Sequence, residues 1–322
     1  MAVSQIQADT EIICFEDVTA FCKHVKTVRR PAILRGFDIG SCTGKWKNPE
    51  YLIDKLGNTP AKVHVVDNCN VDKMDFRTKN FKYQTISMND LIRNVFNVSE
   101  HPEFAFYLRW VGDDPRGQTK ANFHQDFDQL SDDFELPKNM FFDDDSFFSS
   151  VLRISSPGIR VWTHYDIMDN LYVQIVGEKS VMMWDPNEAF NLYLDGDKSK
   201  VVDFQDPDLD MKYPKFKQAH KFIGYLKPGD MVFIPALWFH NMKAIDTGIA
   251  INIFWKNLND KLYDHKDPYG NRDLLPAAKA IRMLDNVWHQ LDNLPDEYRD
   301  FYGRQLIARI ESKCLIKKDI SQ

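Results

Sequence analysis

The chain has 322 residues, 43% of them hydrophobic and 13% aromatic, with 41 Lys and Arg against 47 Asp and Glu and a net charge of -6. That length and apolar content suit one catalytic domain with appended helices, and the acidic balance argues against a generic nucleic-acid binder, which is usually basic. Five scattered cysteines without CxxC pairing exclude a disulfide framework or zinc site, and the N-terminus lacks a basic region leading into an apolar core, so a soluble intracellular protein, cytoplasmic or nuclear and without a membrane partner, is expected.

In chain order, residues 1–100 read as an N-terminal α/β wrap, with helices near 15–25 and over 87–96 and short strands over 32–34 and 62–66. Residues 101–256 read as a β-rich core: apolar runs over 104–110, 149–154, 160–166, 171–176, 180–184, 222–226, 231–235 and 249–255 have the number and spacing of a barrel or sandwich. Gly177-Glu178 reads as a hairpin turn and Pro228-Gly229-Asp230 as a second turn. Residues 190–220 are rich in Asp, Lys and Pro and read as a long connection over the barrel mouth. In residues 257–322, Ile281, Leu284, Trp288 and Leu291 form one apolar helical stripe, and Phe301, Leu306 and Ile310 form a second after a start at Pro295. This two-helix hairpin either caps the barrel or joins two copies of the chain.

Charge is unevenly distributed. Between residues 20 and 93 fourteen Lys or Arg, among them Arg29, Arg30 and Lys82, face seven acids, and between 126 and 145 eight acids face Lys138 alone. The first stretch would offer a basic face to a phosphate backbone, or only a solvated surface. The second reads as a loop away from such a partner, or one that closes over the site.

The chemistry concentrates at Thr163-His164-Tyr165-Asp166. In a strand, residues two apart project to one side, so His164 and Asp166 can reach one metal ion. His240, at the end of the apolar run from Met231 to Phe239, is the natural third ligand. Two His and one carboxylate leave coordination positions open, as in non-haem Fe(II) oxygenases.

The order HYD, Asn170, Lys179, PGDMVFIPALWFH and INIFW resembles the jumonji-C hydroxylases, which have a double-stranded β-helix core and use Fe(II), 2-oxoglutarate and dioxygen. The resemblance implies that His164, Asp166 and His240 hold iron, that Lys179 pairs with the distal carboxylate of 2-oxoglutarate, and that Asn170, Tyr107 and Asn252 touch that cosubstrate. ISSPGIRVWTHYDIMDN, NIFWK, DPYGNRD and LPDEYRDFY extend the likeness, over nearly the whole chain, to the branch that hydroxylates the wybutosine precursor in phenylalanine tRNA. That branch implies tRNA as partner and a homodimer through C-terminal helices. Arg109, Trp110 and Arg160 are then candidates for substrate or RNA, since guanidinium and indole groups recognise phosphate or stack on a base. Trp162, Trp184, Trp238 and Trp255 read as barrel packing. A protein side-chain hydroxylase of the same superfamily and a metal-free β-barrel binding module are the alternatives.

Overall fold

The structure is a computed structural model that describes residues 8–97, 103–112, 119–137, 140 and 145–315. The first seven residues and part of the acidic 126–145 stretch, Lys138 included, lie outside the described residues. The chain divides into two compact units, residues 1–260 with 265–271, and residues 261–264 with 272–322.

The strands of the first unit are β1 (Thr10–Glu11), β2 (Ile13–Phe15), β3 (Ala32–Leu34), β4 (Pro60–Asp67), β5 (Phe81–Ser87), β6 (Phe104–Arg109), β7 (Phe147–Ser155), β8 (Asp169–Val176), β9 (Lys179–Trp184), β10 (Leu194–Asp195), β11 (Lys198–Ser199), β12 (Lys221–Leu226), β13 (Met231–Ile234), β14 (Phe239–Ala244) and β15 (Gly248–Trp255). Nine form one sheet in the order β2-β3-β13-β8-β15-β7-β6-β4-β5, and four form a second in the order β1-β12-β9-β14. Every residue of β8 and β15 is buried, which is why both read as unbroken apolar runs rather than alternating ones. One core cluster contains side chains from both sheets, with Tyr172, Val232 and Ala250 meeting Val181, Met183 and Leu226. The result is a mainly β, double-stranded β-helix core flanked by helices.

Turns carry the chain between the sheets from β8 to β9, from β12 to β13, from β13 to β14 and from β14 to β15. Gly177-Glu178 is therefore not a hairpin: β8 and β9 lie in different sheets and do not pair. Gly177 sits at φ 75°, and the Glu178 N–H donates to Asp246 Oδ1 at 2.6 Å, which swings the chain out of its first sheet. Two other expectations also fail locally. Residues 160–166 form no strand and pair only through isolated bridges at Arg160 and His164. The side-chain amide of Asn241 takes the Val161 carbonyl at 2.8 Å, replacing a ladder bond. The run from Met231 to Phe239 is also broken. β13 ends at Ile234, a turn with Leu237 at φ 69° follows, and His240 is the second residue of β14. Strand β5 was illegible because it is a sheet edge exposed from Lys82 to Thr85.

Local signals account for the helices that pack on this core. Helix Met88–Phe96 starts where Ser87 accepts the Asp90 N–H at 3.0 Å and its hydroxyl donates to the Asp90 carboxylate, a reciprocal cap. Asp133, from the acidic stretch, accepts from Ser41, Lys45, Trp46 and Tyr51. Burial opposes its ionisation, but those donors prevail and hold its pKa at about 2.

The second unit contains helices Leu275–Leu291 and Asp296–Cys314, which pack against each other. Leu284, Leu291 and Leu306 are half-buried, whereas Ile281, Trp288, Phe301 and Ile310 are exposed. No described helix is long and apolar enough to cross a membrane.

A Cβ on Gly177 would overlap the Thr247 carbonyl, and its φ strains any L side chain. Gly177→Ala should lower stability by about 2–4 kcal/mol in urea unfolding; a loss under about 0.5 kcal/mol would show that this corner relaxes freely.

Candidate metal centre

His164, Asp166 and His240 come together although 76 positions separate the two histidines. The backbone makes the meeting. The His240 N–H donates to the His164 carbonyl at 2.8 Å and the His164 N–H donates back at 3.3 Å, so the irregular segment lies against β14 at this one pair. Their ring centroids are 4.3 Å apart. The Leu237 N–H donates to the Asp166 carbonyl at 2.8 Å, fixing the third residue against the turn that precedes β14. The three potential ligand atoms all lie within 4.8 Å of one another, and His240 Nε2 is 3.5 Å from Asp166 Oδ2.

Both imidazoles have a defined tautomer. His164 Nδ1 lies 2.9 Å from the Trp162 carbonyl and His240 Nδ1 lies 3.1 Å from the Trp238 carbonyl. A carbonyl only accepts, so each Nδ1 carries the proton and each Nε2 presents a lone pair. Burial, and then the neighbouring His240, push the His164 pKa well down, so its ring is neutral. Burial would raise Asp166, but the electrostatic pull of its neighbours, His240 and His164 first and then Arg109 and Arg153, brings it below the usual carboxylate value. Two imidazole nitrogens and one carboxylate oxygen form a donor set suited to a divalent transition metal.

Two cavities share the walls around this triad. A cleft of about 310 Å³ is lined by His164, Asp166 and a rim of aromatic and basic side chains, including Lys62, Phe76, Tyr83, Trp162 and Lys198. Tyr83 is 49% exposed, with the Lys62 ammonium 4.9 Å from its ring centroid. A narrower inner pocket is lined by Tyr107, Arg153, Tyr172, Lys179, His240 and Asn252. Lys179 is 6% exposed. Among the described residues no hydrogen bond or ion pair satisfies it, and its ammonium stands 5.2 Å from the Tyr172 ring centroid. Burial, reinforced by repulsion from Arg153, lowers its pKa to about 7.

Asn170 Nδ2 donates to Asp166 Oδ2 at 3.4 Å, and Asn252 Nδ2 donates to Asn170 Oδ1 at 2.9 Å. Tyr107 is buried, its hydroxyl accepting from Arg153. Arg109 enters the cleft, where its one hydrogen bond among the described residues reaches the Tyr269 carbonyl at 3.4 Å. Other sequence candidates lie elsewhere. Trp110 is 6% exposed and its indole N–H is held by Asp126 at 2.9 Å, so it is core and cannot stack on a base. Arg29 is clamped bidentately on Asp169 at 2.8 and 3.0 Å, and Asp169 also accepts the Ala236 N–H. That arginine anchors the turn before β14. Arg160 binds Asn241 at 3.1 Å and covers the Phe204 ring. Arg30 and Lys82 are exposed.

Trp162 packs on the core cluster that contains Phe81 and Tyr107, as expected, and in addition walls the cleft and orients His164 through its carbonyl. Sequence reading missed Arg153 and His64. Each is a polar residue inside an apolar strand, and that was the available signal. His64 donates from Nδ1 to the Tyr107 carbonyl at 3.2 Å, and burial lowers its pKa to about 4, leaving a neutral ring on the cleft wall. Tyr269 and Asn271, from DPYGNRD, also line the cleft.

Residues 18–261 match the family described as the cupin-like domain. The chain is 42% identical to tRNA wybutosine-synthesizing protein 5 of Danio rerio, over 98% of this chain and 96% of that protein. It is 44% identical to the protein of the same name from Mus musculus, over 92% of this chain and 93% of that one. It is also 37% identical to tRNA wybutosine-synthesizing protein 4 of Gibberella zeae, over 86% of this chain but only 26% of that longer protein. The chain therefore belongs to the cupin-like family and, within it, to the family of tRNA wybutosine-synthesizing protein 5.

The lowered pKa of Lys179 has a thermodynamic consequence. Between about pH 7 and its unfolded value near 10.5 the unfolded chain holds a proton that the folded chain has lost, so this group makes stability rise with pH. Lys179→Met should be more stable than the wild type at pH 7 in urea unfolding of the metal-free protein, with the gap closing towards pH 10. A gap that does not change with pH would mean that Lys179 stays charged in the fold.

Proposed function

We propose that this chain is an Fe(II)- and 2-oxoglutarate-dependent hydroxylase acting on the side chain of the wybutosine precursor in phenylalanine tRNA. The observation that carries the reading is the triad's position, with two bare imidazole nitrogens and one carboxylate bordering both a pocket with an unpaired buried ammonium and an aromatic cleft. The names and full-length likeness of the relatives support the tRNA substrate.

The residues fit the groups that this chemistry needs. His164, Asp166 and His240 would hold the iron, their N, N, O donor set leaving positions free for a chelating cosubstrate. A buried lysine without a counter-ion is costly, and a dicarboxylate would neutralise it, so Lys179 takes the distal carboxylate of 2-oxoglutarate. Tyr107 and Asn252 supply polar contacts along the pocket, and Asn170, which does not line it, acts from behind Asp166. When bound, iron and 2-oxoglutarate supply the activation of dioxygen that hydroxylation of a C–H bond requires. The protein's own contribution is positional. The cleft holds the modified base between aromatic walls, with Trp162 and Tyr83 available for stacking and Arg109 aimed into its interior. Arg30, Lys82 and Arg160 contribute positive charge to the tRNA backbone.

Residues 1–100 form the wrap, 101–256 the catalytic core and 257–322 the dimerisation region of this reading. Ile281, Trp288, Phe301 and Ile310 give the helical hairpin an exposed apolar surface, which supports a homodimer formed through it.

Anaerobic loading with Fe(II) and 2-oxoglutarate, followed by dioxygen and phenylalanine tRNA bearing the unhydroxylated precursor, should give succinate and a nucleoside heavier by one oxygen. Succinate without nucleoside oxidation would redirect the search to a protein side chain. His164→Ala should abolish both products, and Lys179→Ala should raise the KM for 2-oxoglutarate by at least about tenfold; an unchanged KM would assign the distal carboxylate to another residue. Trp288→Glu with Phe301→Glu should convert a dimer to a monomer in light scattering, and a wild-type monomer would exclude the dimer.

A further inference from the structure

Arg153 lies on β7 and borders both cavities, yet it is none of the three residues that face a metal. Its guanidinium donates from Nε to Asn252 Oδ1 at 2.5 Å and from a terminal nitrogen to the Tyr107 hydroxyl. A guanidinium has no acceptor, so the partner atom on Asn252 must be its oxygen. The Asn252 amide nitrogen is thereby turned to Asn170, where it donates to Oδ1 at 2.9 Å. With its oxygen engaged, Asn170 presents its own amide nitrogen to Asp166 Oδ2 at 3.4 Å. One permanent donor thus sets the direction of every bond in a chain of three, and the chain ends on the carboxylate of the triad.

The register makes this chain possible. β15 lies between β7 and β8, so Asn252 is within reach of Arg153 on one side and Asn170 on the other. Asn170 and Asn252 are buried, so no bulk water competes for the amide groups inside the chain. Were either amide reversed, an oxygen would face the carboxylate and repel it.

We propose that Arg153 is a positioning residue for the metal site: it polarises the Asn252–Asn170 amide pair so that a donor always faces Asp166, holding that carboxylate in one orientation for a divalent metal before any cosubstrate arrives. The proposal rests on the reading of the triad as a metal site, and not on the identity of the tRNA substrate. Partners of this kind, behind a metal ligand, are worth about 10- to 100-fold in metal affinity.

The test is anaerobic titration of the full chain with Co(II), without 2-oxoglutarate or tRNA, following affinity and the visible absorption of the bound ion. Arg153→Gln and Asn252→Ala should each weaken binding by about 10- to 100-fold and alter the spectrum in the same way. The double variant should bind no worse than the weaker single one, because both changes cut one chain. Arg153→Lys, which keeps the charge and a donor, should recover most of the affinity. Far-ultraviolet circular dichroism checks folding, and if Arg153→Gln does not fold, Asn252→Ala alone decides. Asn252→Ala binding within twofold of wild type, or additive losses in the double variant, would overturn the relay. A wild-type protein that takes up no Co(II) would instead overturn the metal site itself, and the relay with it.

Discussion

Two reciprocal backbone hydrogen bonds between His164 and His240 are the constraint on which this site depends. His240 lies in β14, which pairs regularly with β9, but no regular strand pair brings His164 to it. One residue lies in a segment that pairs with β14 at single points, the other near the start of β14 after a turn containing a left-handed leucine. Opposed residues in such a bridge direct their side chains to the same side. The remaining devices, Asn241 on Val161, Arg29 on Asp169 and Leu237 on Asp166, hold the neighbouring backbone so that this pair can persist.

Charge is the second organising fact. Lys179, Arg109 and Arg153 bring positive charge to the cavity walls near Asp166, and Asp197 is a second carboxylate on the cleft. In a low-dielectric interior this positive charge is unfavourable until anions arrive. The same field would suit the dicarboxylate proposed for the pocket, and the aromatic lining of the cleft outside it would suit the proposed base.

Much of the core was legible because its central strands are buried on both faces and therefore apolar throughout, as in β8 and β15. The triad was legible through residue type and spacing, but the reason first given for it was incomplete. Alternation along a strand does not unite His164 with Asp166, since Asn241 displaces the ladder there, and sequence contains no signal for that substitution. β5 escaped because an exposed edge strand has no hydrophobic period. Trp110 misled because a surface-binding side chain and a core indole look alike until a partner such as Asp126 is seen. Arg153 and His64 escaped because their roles depend on neighbours across three strands.

The register of β9 against β14 also fixes a length. Met183 pairs with His240, whereas Lys179 pairs with Ala244, and both Lys179 and Met183 point into the same interior. Four residues of strand, roughly 13 Å of backbone, therefore separate the levels from which the ammonium and the imidazole arise. For the cosubstrate proposed here the barrel would work as a ruler, since a short monocarboxylate that met one end would leave the other bare. The distance between the two ends is encoded in hydrogen-bond register rather than in any single side chain.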